Sequence, residues 1–144
     1  MSGRKQYAAL PFIILVDSIE VCLITSKESG RWIIPKGWPK KGMAPHELAA
    51  LEAFEEAGLK GSADPRSIGS FHYVKRLDDG SEVECEVSVY PMLVEYQAIN
   101  WPEQDQRTAT WVQLKEAAKL VAEEQLSNLL RRFNPKLLAS KKTT

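Results

Sequence analysis

The segment between Pro45 and Gly58 constrains the fold of this chain more than any other, because residue type defines both of its ends and one of its faces. Proline suits the first position of a helix, where its missing N–H has no partner to lose, and glycine is common just after a helix ends. Small residues recur along one arc of this helix. We therefore predict a helix that packs closely on a sheet through the face formed by Ala49, Ala50, Ala53, Phe54 and Ala57.

Apolar runs rich in isoleucine and valine predict the strands of that sheet. The turn signals Asp17-Ser18 and Asp79-Gly80 each separate two such runs and predict two strand pairs. Segment 36–44 contains glycines, a proline and lysines, and is typical of a functional loop without an element of its own. Pro91 predicts a bulge or an edge position within its strand. The predicted strands are 7–16, 21–25, 32–34, 67–76, 82–94 and 108–112.

Helical spacing follows the last strand, from Leu114 to Phe133. Strands around one central helix, with further helices at the end, predict an α/β fold in which a mixed β-sheet is sandwiched between helices. A chain of 144 residues fits one domain, 1–144, with a core of about 7–133. The polar residues 139–144 predict a mobile tail.

Charge and cysteine usage exclude several classes of function. The 19 basic and 19 acidic residues cancel, so we expect neither a nucleic acid polymer nor a membrane as a partner, and any bound anion must meet a local cluster of cations. Cys22 and Cys85 lie in apolar runs without metal-ligand spacing, which favours reduced core thiols. The apolar run 8–16 is shorter than the about 18 residues of a membrane span and has no cleavage site, so we expect a cytoplasmic protein, monomeric or homodimeric.

Three carboxylates, Glu52, Glu55 and Glu56, stand at positions i, i+3 and i+4 of the predicted helix. Like charges at this spacing repel one another, and a compensating cation is one reason to keep them together. Mg²⁺ binds through one or two carboxylates together with water and substrate phosphates. The alternative is an acidic helix face that is merely solvated.

The surrounding residues resemble the Nudix box, whose pattern is Gly, five residues, Glu, seven residues, then Arg-Glu-apolar-x-Glu-Glu-x-Gly-apolar. The matching segments are Gly37-Trp-Pro-Lys-Lys-Gly-Met43 and Leu51-Glu-Ala-Phe-Glu-Glu-Ala-Gly-Leu59. The preceding residues 31–37 resemble Nudix enzymes that hydrolyse dinucleoside polyphosphates and diphosphoinositol polyphosphates. The resemblance extends over about residues 7–133.

This resemblance implies a hydrolase with the Nudix fold that cleaves a pyrophosphate link in a phosphorylated small molecule. It implies Mg²⁺ or Mn²⁺ as cofactor, held by Glu52, Glu55 and Glu56. Two positions depart from the family pattern, since Met43 replaces a glutamate and Leu51 replaces an arginine that commonly holds a catalytic carboxylate. A relative that binds a nucleotide without turnover is therefore the alternative, as is a structural module without a ligand.

Nudix enzymes often recruit another carboxylate from outside the box, and Glu84 and Glu86 are the candidates, although alternating glutamates also suit the solvent side of a strand. Lysines in a glycine-containing loop beside a metal site are well placed for phosphates, with ordinary surface cations as the alternative. Trp38 and Tyr73 could stack on a base, with a packing role as the alternative. The predicted substrate-binding residues are Lys36, Gly37, Lys40, Lys41, Lys75, Arg76 and Arg107.

Overall fold

A computed structural model describes residues 3–135. The predicted mobile tail, 139–144, lies outside these described residues. Within 3–135 the chain forms eight strands and three helices. They are β1 (Arg4–Ile14), β2 (Ile19–Thr25), β3 (Trp32–Ile33), β4 (Lys36–Gly37), α1 (Pro45–Ala57), β5 (Leu59–Ala63), β6 (Gly69–Arg76), β7 (Glu82–Gln97), β8 (Ala109–Gln113), α2 (Leu114–Leu120) and α3 (Glu124–Arg132).

The strands form one sheet centred on β1. Strand β1 pairs in parallel with β7, from Arg4 opposite Cys85 to Phe12 opposite Leu93, and antiparallel with β2 and β4. The order β3-β2-β1-β7-β5 is completed by β4 on β1, β6 on β7 and β8 on β2. The predicted hairpins and the mixed character of the sheet are confirmed.

Helices cover both faces of the sheet, as predicted. On one face, α2 and α3 pack on side chains of β1, β2, β6 and β7. On the other face, α1 packs on Ala9, Cys22 and Ile24 through its fully buried Ala49, Ala53 and Ala57. Cys22 and Cys85 are free and buried, as expected. None of the helices within 3–135 has the length and apolarity needed to cross a membrane.

Helix α1 begins and ends where its sequence signals predict. Pro45 is its first residue, and the Glu47 side chain accepts a hydrogen bond from the Ala44 N–H at 2.8 Å. Gly58 follows the last turn with φ 73°, a left-handed conformation that glycine adopts without a steric penalty. A side chain at Gly58 would also clash with the ring of Trp101. Local chemistry therefore fixes the length of the helix that carries the three glutamates.

Two expectations about the strands were wrong. Segment 36–44 does contain an element, because Lys36–Gly37 pairs with Tyr7 and Ala8 of β1. Pro91 lies at neither an edge nor a bulge, since β7 has β1 on one side and both β5 and β6 on the other. Its carbonyl faces the connection between β5 and β6, where it accepts from the Asp64 N–H at 2.8 Å. In a strand, the N–H and the carbonyl of one residue point to the same side. The N–H that Pro91 lacks would therefore point to the place where β7 changes its partner from β6 to β5.

Candidate functional site

A cavity of about 1110 Å³, here called the central cavity, opens beside α1. Segments distant in the sequence line it: the 26–31 turn, the 33–40 segment, strand β6 and the N-terminal part of β1. Glu52 and Glu56 of α1 reach it from one side, while Glu123 and Leu126 reach it from another. The cavity combines carboxylates with several cations and three aromatic side chains.

Glu52 and Glu56 are one turn apart on α1, so their side chains project from the same face of the helix. Glu56 is 4% exposed, and Glu52 is half-buried. Gly37 gives Glu52 its room, because a Cβ at position 37 would overlap the Glu52 carboxylate. Glu55 does not line the cavity; its backbone carbonyl accepts a hydrogen bond from the Glu103 N–H at 3.0 Å.

A hydrogen bond joins the carboxyl groups of Glu52 and Glu56. Burial first, and then the hydrogen bond to Glu52, raise the pKa of Glu56 to about 9, while Arg107 opposes the rise. Burial also raises the pKa of Glu52, although the hydrogen bond from Glu56 opposes this. Glu56 is therefore the protonated partner, and it donates to Glu52. Two carboxyl groups joined in this way are suited to exchange the proton between them for a cation.

Arg107, predicted as a substrate-binding residue, lies against this pair and is itself largely buried. Its side chain is 10% exposed, and its Nη2 lies 3.9 Å from Glu56 Oε1. Its Nε donates to Glu103 Oε1 at 2.9 Å and its Nη1 donates to the Thr25 carbonyl at 3.1 Å. The guanidinium thus contacts the protein in three directions.

Lys36 is the other cation beside Glu56. Its backbone N–H donates to Glu56 Oε1 at 3.4 Å, and its ammonium lies 4.9 Å from the centre of the Tyr73 ring. Burial lowers the pKa of Lys36, while the charge of Glu56 opposes the shift. The Tyr73 hydroxyl donates to Gln6 Oε1 at 2.6 Å, which holds the ring under the ammonium.

The remaining predicted cations divide between the cavity and the surface. Lys40, Lys75 and Arg76 line the cavity, and Trp38 lines it beside them. Lys41 is exposed and is not part of the cavity wall. The structure therefore brings together six of the seven predicted substrate-binding residues: Lys36, Gly37, Lys40, Lys75, Arg76 and Arg107.

The expectation that Glu84 or Glu86 supplies an additional carboxylate requires correction. Neither residue lines the cavity. Glu82, at the start of the same strand, is the β7 glutamate that does line it. Glu84 is exposed, and Glu86 forms an ion pair with Lys5 at 3.6 Å.

The sequence analysis missed several carboxylates: Glu28, Asp78, Glu82 and Glu123 in the cavity wall, and Glu103 beside it. Glu123 lines the cavity, and Glu103 contacts Arg107 next to Glu56. Glu103 lies four residues before Arg107 in the polar segment between β7 and β8. The spacing of this opposite-charge pair was the available signal, but nothing in the sequence places the segment against α1.

The donor set fits a divalent cation through a pair of carboxylates. No three His, Cys, Asp or Glu side chains within 3–135 are close enough together to form a preassembled metal cluster. The predicted set of Glu52, Glu55 and Glu56 is thus not gathered around one point. Glu52 and Glu56 alone supply the one or two carboxylates that Mg²⁺ requires when water and phosphate complete its coordination.

A known family and several known proteins are similar to this chain. The family model described as the NUDIX domain matches residues 6–133. Nudix hydrolase 21, chloroplastic, of Arabidopsis thaliana is 32% identical over 120 residues, which cover 80% of this chain and 57% of that protein. Nudix hydrolase 13, mitochondrial, of the same plant is 29% identical over 125 residues, which cover 81% of this chain and 60% of that protein. The chain thus spans about 60% of the length of the curated relatives that it matches.

Solved structures share the fold at low sequence identity. The C. elegans Ap4A hydrolase has a TM-score of 0.65 and 19% identity, and the match covers 94% of this chain and 99% of that one. The NUDIX domain of Shewanella oneidensis NrtR, complexed with ADP ribose, has a TM-score of 0.65 and 16% identity, with 91% and 88% covered. Because the family model covers residues 6–133, which include α1 and its glutamates, the chain belongs to the NUDIX family.

Proposed function

We propose that this protein is a divalent-cation-dependent hydrolase that cleaves a pyrophosphate link in a nucleoside diphosphate derivative. The observation that carries the proposal is the carboxyl pair Glu52 and Glu56, one half-buried and one buried, at the wall of a cavity lined with cations. The Nudix names of the curated relatives support the same chemistry. Mg²⁺ or Mn²⁺ is the proposed cofactor, with Glu52 and Glu56 as its protein ligands and Glu55 as a further candidate.

The residues that line the cavity have different roles in this proposal. A bound divalent ion would supply positive charge to the phosphate oxygens and would acidify a water molecule. Lys36, Lys40 and Lys75 would meet the other phosphate oxygens as point charges. Trp38 and Tyr73 line the same cavity and would contact organic groups of the substrate. Binding and orientation by the protein, rather than covalent chemistry, then provide most of the catalysis.

The size of the site favours a substrate with bulky groups on both sides of the phosphate chain. The central cavity adjoins a second one of about 410 Å³ at the β6–β7 turn, and Trp38, Lys75 and Arg76 line both. Typical small-molecule sites occupy about 300–1,000 Å³, so a nucleoside triphosphate would leave much of this space unused. We therefore propose dinucleoside polyphosphates or diphosphoinositol polyphosphates as substrates, a class that includes the one named for the C. elegans neighbour.

A substrate panel with Mg²⁺ or Mn²⁺ tests the proposal. It compares dinucleoside polyphosphates, diphosphoinositol polyphosphates, nucleotide sugars, ADP-ribose and nucleoside triphosphates by kcat/KM. We expect hydrolysis that EDTA abolishes, with the first two groups cleaved fastest. The Glu56→Gln variant is the control and should lose roughly two or more orders of magnitude in kcat, as is typical for loss of transition-state charge stabilisation. Full activity in Glu56→Gln or in EDTA would contradict the metal-site proposal.

Ligand binding without turnover is a second candidate function. Met43 and Leu51 replace two charged residues of the Nudix box, and no preassembled three-ligand cluster occurs within 3–135. Titration calorimetry on the same panel separates the two candidates. Tight binding of one compound without product formation would support a regulatory protein, whereas product formation at any appreciable rate would support the hydrolase. The cytoplasmic location and the monomeric or homodimeric state stay predictions.

A further inference from the structure

Arg107 lines the central cavity, but its guanidinium nitrogens are directed at oxygen atoms of the protein. Its three nitrogens face Glu103, Thr25 and Glu56 at 2.9, 3.1 and 3.9 Å, and its side chain is only 10% exposed. A phosphate-binding arginine presents the fork of its guanidinium to the ligand. Here the fork is directed at the protein, which separates Arg107 from the more exposed Arg76.

The contacts of Arg107 join three elements that the sequence keeps far apart. Thr25 ends β2, Glu56 belongs to α1, and Glu103 belongs to the segment between β7 and β8. That segment is tied to α1 a second time, because the Glu103 N–H donates to the Glu55 carbonyl at 3.0 Å. It is tied to β2 by the Thr108 N–H, which donates to Thr25 Oγ1 at 2.9 Å. Hydrogen bonds to residues other than Glu56 therefore hold Arg107 and its segment in place.

A positively charged side chain that pairs with Glu56 has to come from outside α1. The helix contains no lysine or arginine, and position 51, next to Glu52, is a leucine. Glu56 is nevertheless 4% exposed, and the ionised form that would bind a cation requires a positively charged partner at that depth. Arg107 is one of two cations beside it, and the other, Lys36, is engaged with the Tyr73 ring.

We propose that Arg107 is a positioning residue, whose guanidinium joins Glu56 to Glu103 and so fixes the carboxylates of the cation site before the cation arrives. This inference rests on the proposed function, because it assigns Arg107 to the same site. It replaces the expectation that Arg107 binds substrate phosphate.

An Arg107 substitution can raise or lower cation affinity, and the direction of the change distinguishes a positioning role from a purely electrostatic one. Removing a positive charge near a cation site should strengthen cation binding if charge is all that matters. Removing the group that orients the ligands should weaken cation binding. Loss of a residue that hydrogen-bonds to a metal ligand typically weakens metal binding by about 10- to 100-fold. The two roles therefore predict opposite changes in the dissociation constant.

Arg107→Lys and Arg107→Met provide the test, with Arg132→Met as the matched control on the exposed surface of α3. Mn²⁺ alone is titrated into each full-length protein by calorimetry, and thermal unfolding checks that each variant is folded. We expect both Arg107 variants to bind Mn²⁺ about tenfold more weakly than wild type, because lysine keeps the charge but cannot contact three groups at once. Arg132→Met should match wild type. Unchanged or tighter Mn²⁺ binding in Arg107→Lys overturns the proposal, and this variant suffices if Arg107→Met does not fold.

Kinetics on the best substrate give a second readout. A positioning role predicts a lower kcat at saturating Mn²⁺ with little change in KM, whereas a phosphate ligand predicts a higher KM. A raised KM with unchanged kcat would return Arg107 to the substrate-binding set. If wild type binds Mn²⁺ but hydrolyses nothing, the proposed function fails, while the Mn²⁺ titrations still decide the role of Arg107.

Discussion

Gly37 determines where the Glu52 carboxylate can lie. A methyl group at position 37 would overlap only the far end of the Glu52 side chain, which can move, and Gly37 is not one of the glycines with positive φ. We therefore predict that Gly37→Ala folds with a melting temperature close to that of wild type but binds Mn²⁺ several-fold more weakly, because Glu52 is displaced. Calorimetric titration and thermal unfolding measure the two quantities.

The double variant Gly37→Ala/Glu52→Gln controls for indirect effects of the methyl group. If Gly37 acts through Glu52, adding Gly37→Ala to Glu52→Gln should weaken Mn²⁺ binding no further. Additive losses would assign Gly37 a role of its own.

The raised pKa of Glu56 predicts how the stability of the metal-free protein depends on pH. The folded state holds the Glu56 proton up to about pH 9, whereas the unfolded chain releases it near its ordinary pKa of 4.5. The folded state therefore binds more protons between these values, and the contribution of Glu56 to stability falls as pH rises through this window. Glutamine imitates the protonated carboxyl group at every pH. In EDTA, we expect Glu56→Gln to melt at a higher temperature than wild type at pH 8 and to lose that advantage toward pH 5.

Thermal unfolding between pH 5 and pH 8 measures this difference, and Glu84→Gln is the matched control because Glu84 is exposed outside the cavity. A difference between Glu56→Gln and wild type that is constant over this range would contradict the pKa assignment.

At the scale of elements, α1 holds its glutamates at the cavity because the face that packs on the sheet carries small side chains. Ala53 is fully buried against the sheet, while Ala50 on the same helix is half-buried. Alanine lets the helix approach closely, and a larger side chain would push it away. We predict that Ala53→Leu lowers the free energy of unfolding by about 1–3 kcal/mol, whereas Ala50→Leu lowers it by less. Urea denaturation of the two variants tests this. Equal losses would show that the alanine row does not set the helix–sheet distance.

At the scale of the whole molecule, the fold places one of two neighbouring lysines in the cavity wall and the other outside it. Lys40 lines the cavity and Lys41 does not, although they are consecutive residues of one loop. We predict that Lys40→Met raises KM by about fivefold, since an exposed charge contact contributes up to about 1 kcal/mol, and that Lys41→Met leaves KM unchanged. Steady-state kinetics with the best substrate of the panel measure both. Equal effects of the two substitutions would indicate general attraction by surface charge instead of a defined phosphate contact.

Local signals in the sequence predicted the elements well wherever the chemistry was local. Pro45 and Gly58 bounded α1 because a missing N–H and a left-handed φ act within one turn of the helix. Apolar runs located most strands, since alternation reports which side chains are buried. The short strands β4 and β5 escaped prediction because each depends on pairing with a residue run almost thirty or more positions away, β4 with β1 and β5 with β7. Pro91 was misjudged for a similar reason, since the change of partner along β7 depends on β5 and β6.

The sequence by itself determined the family, the central helix and the presence of Glu52 and Glu56 on one helical face, because spacing along a helix fixes direction around its axis. Only the tertiary structure decided which other groups meet them. It brought Arg107 and Glu103 to the carboxyl pair and left Glu84, Glu86 and Lys41 outside the cavity. The physical reason is that contacts between distant segments depend on strand order, register and burial, which the pattern of neighbouring residues does not specify.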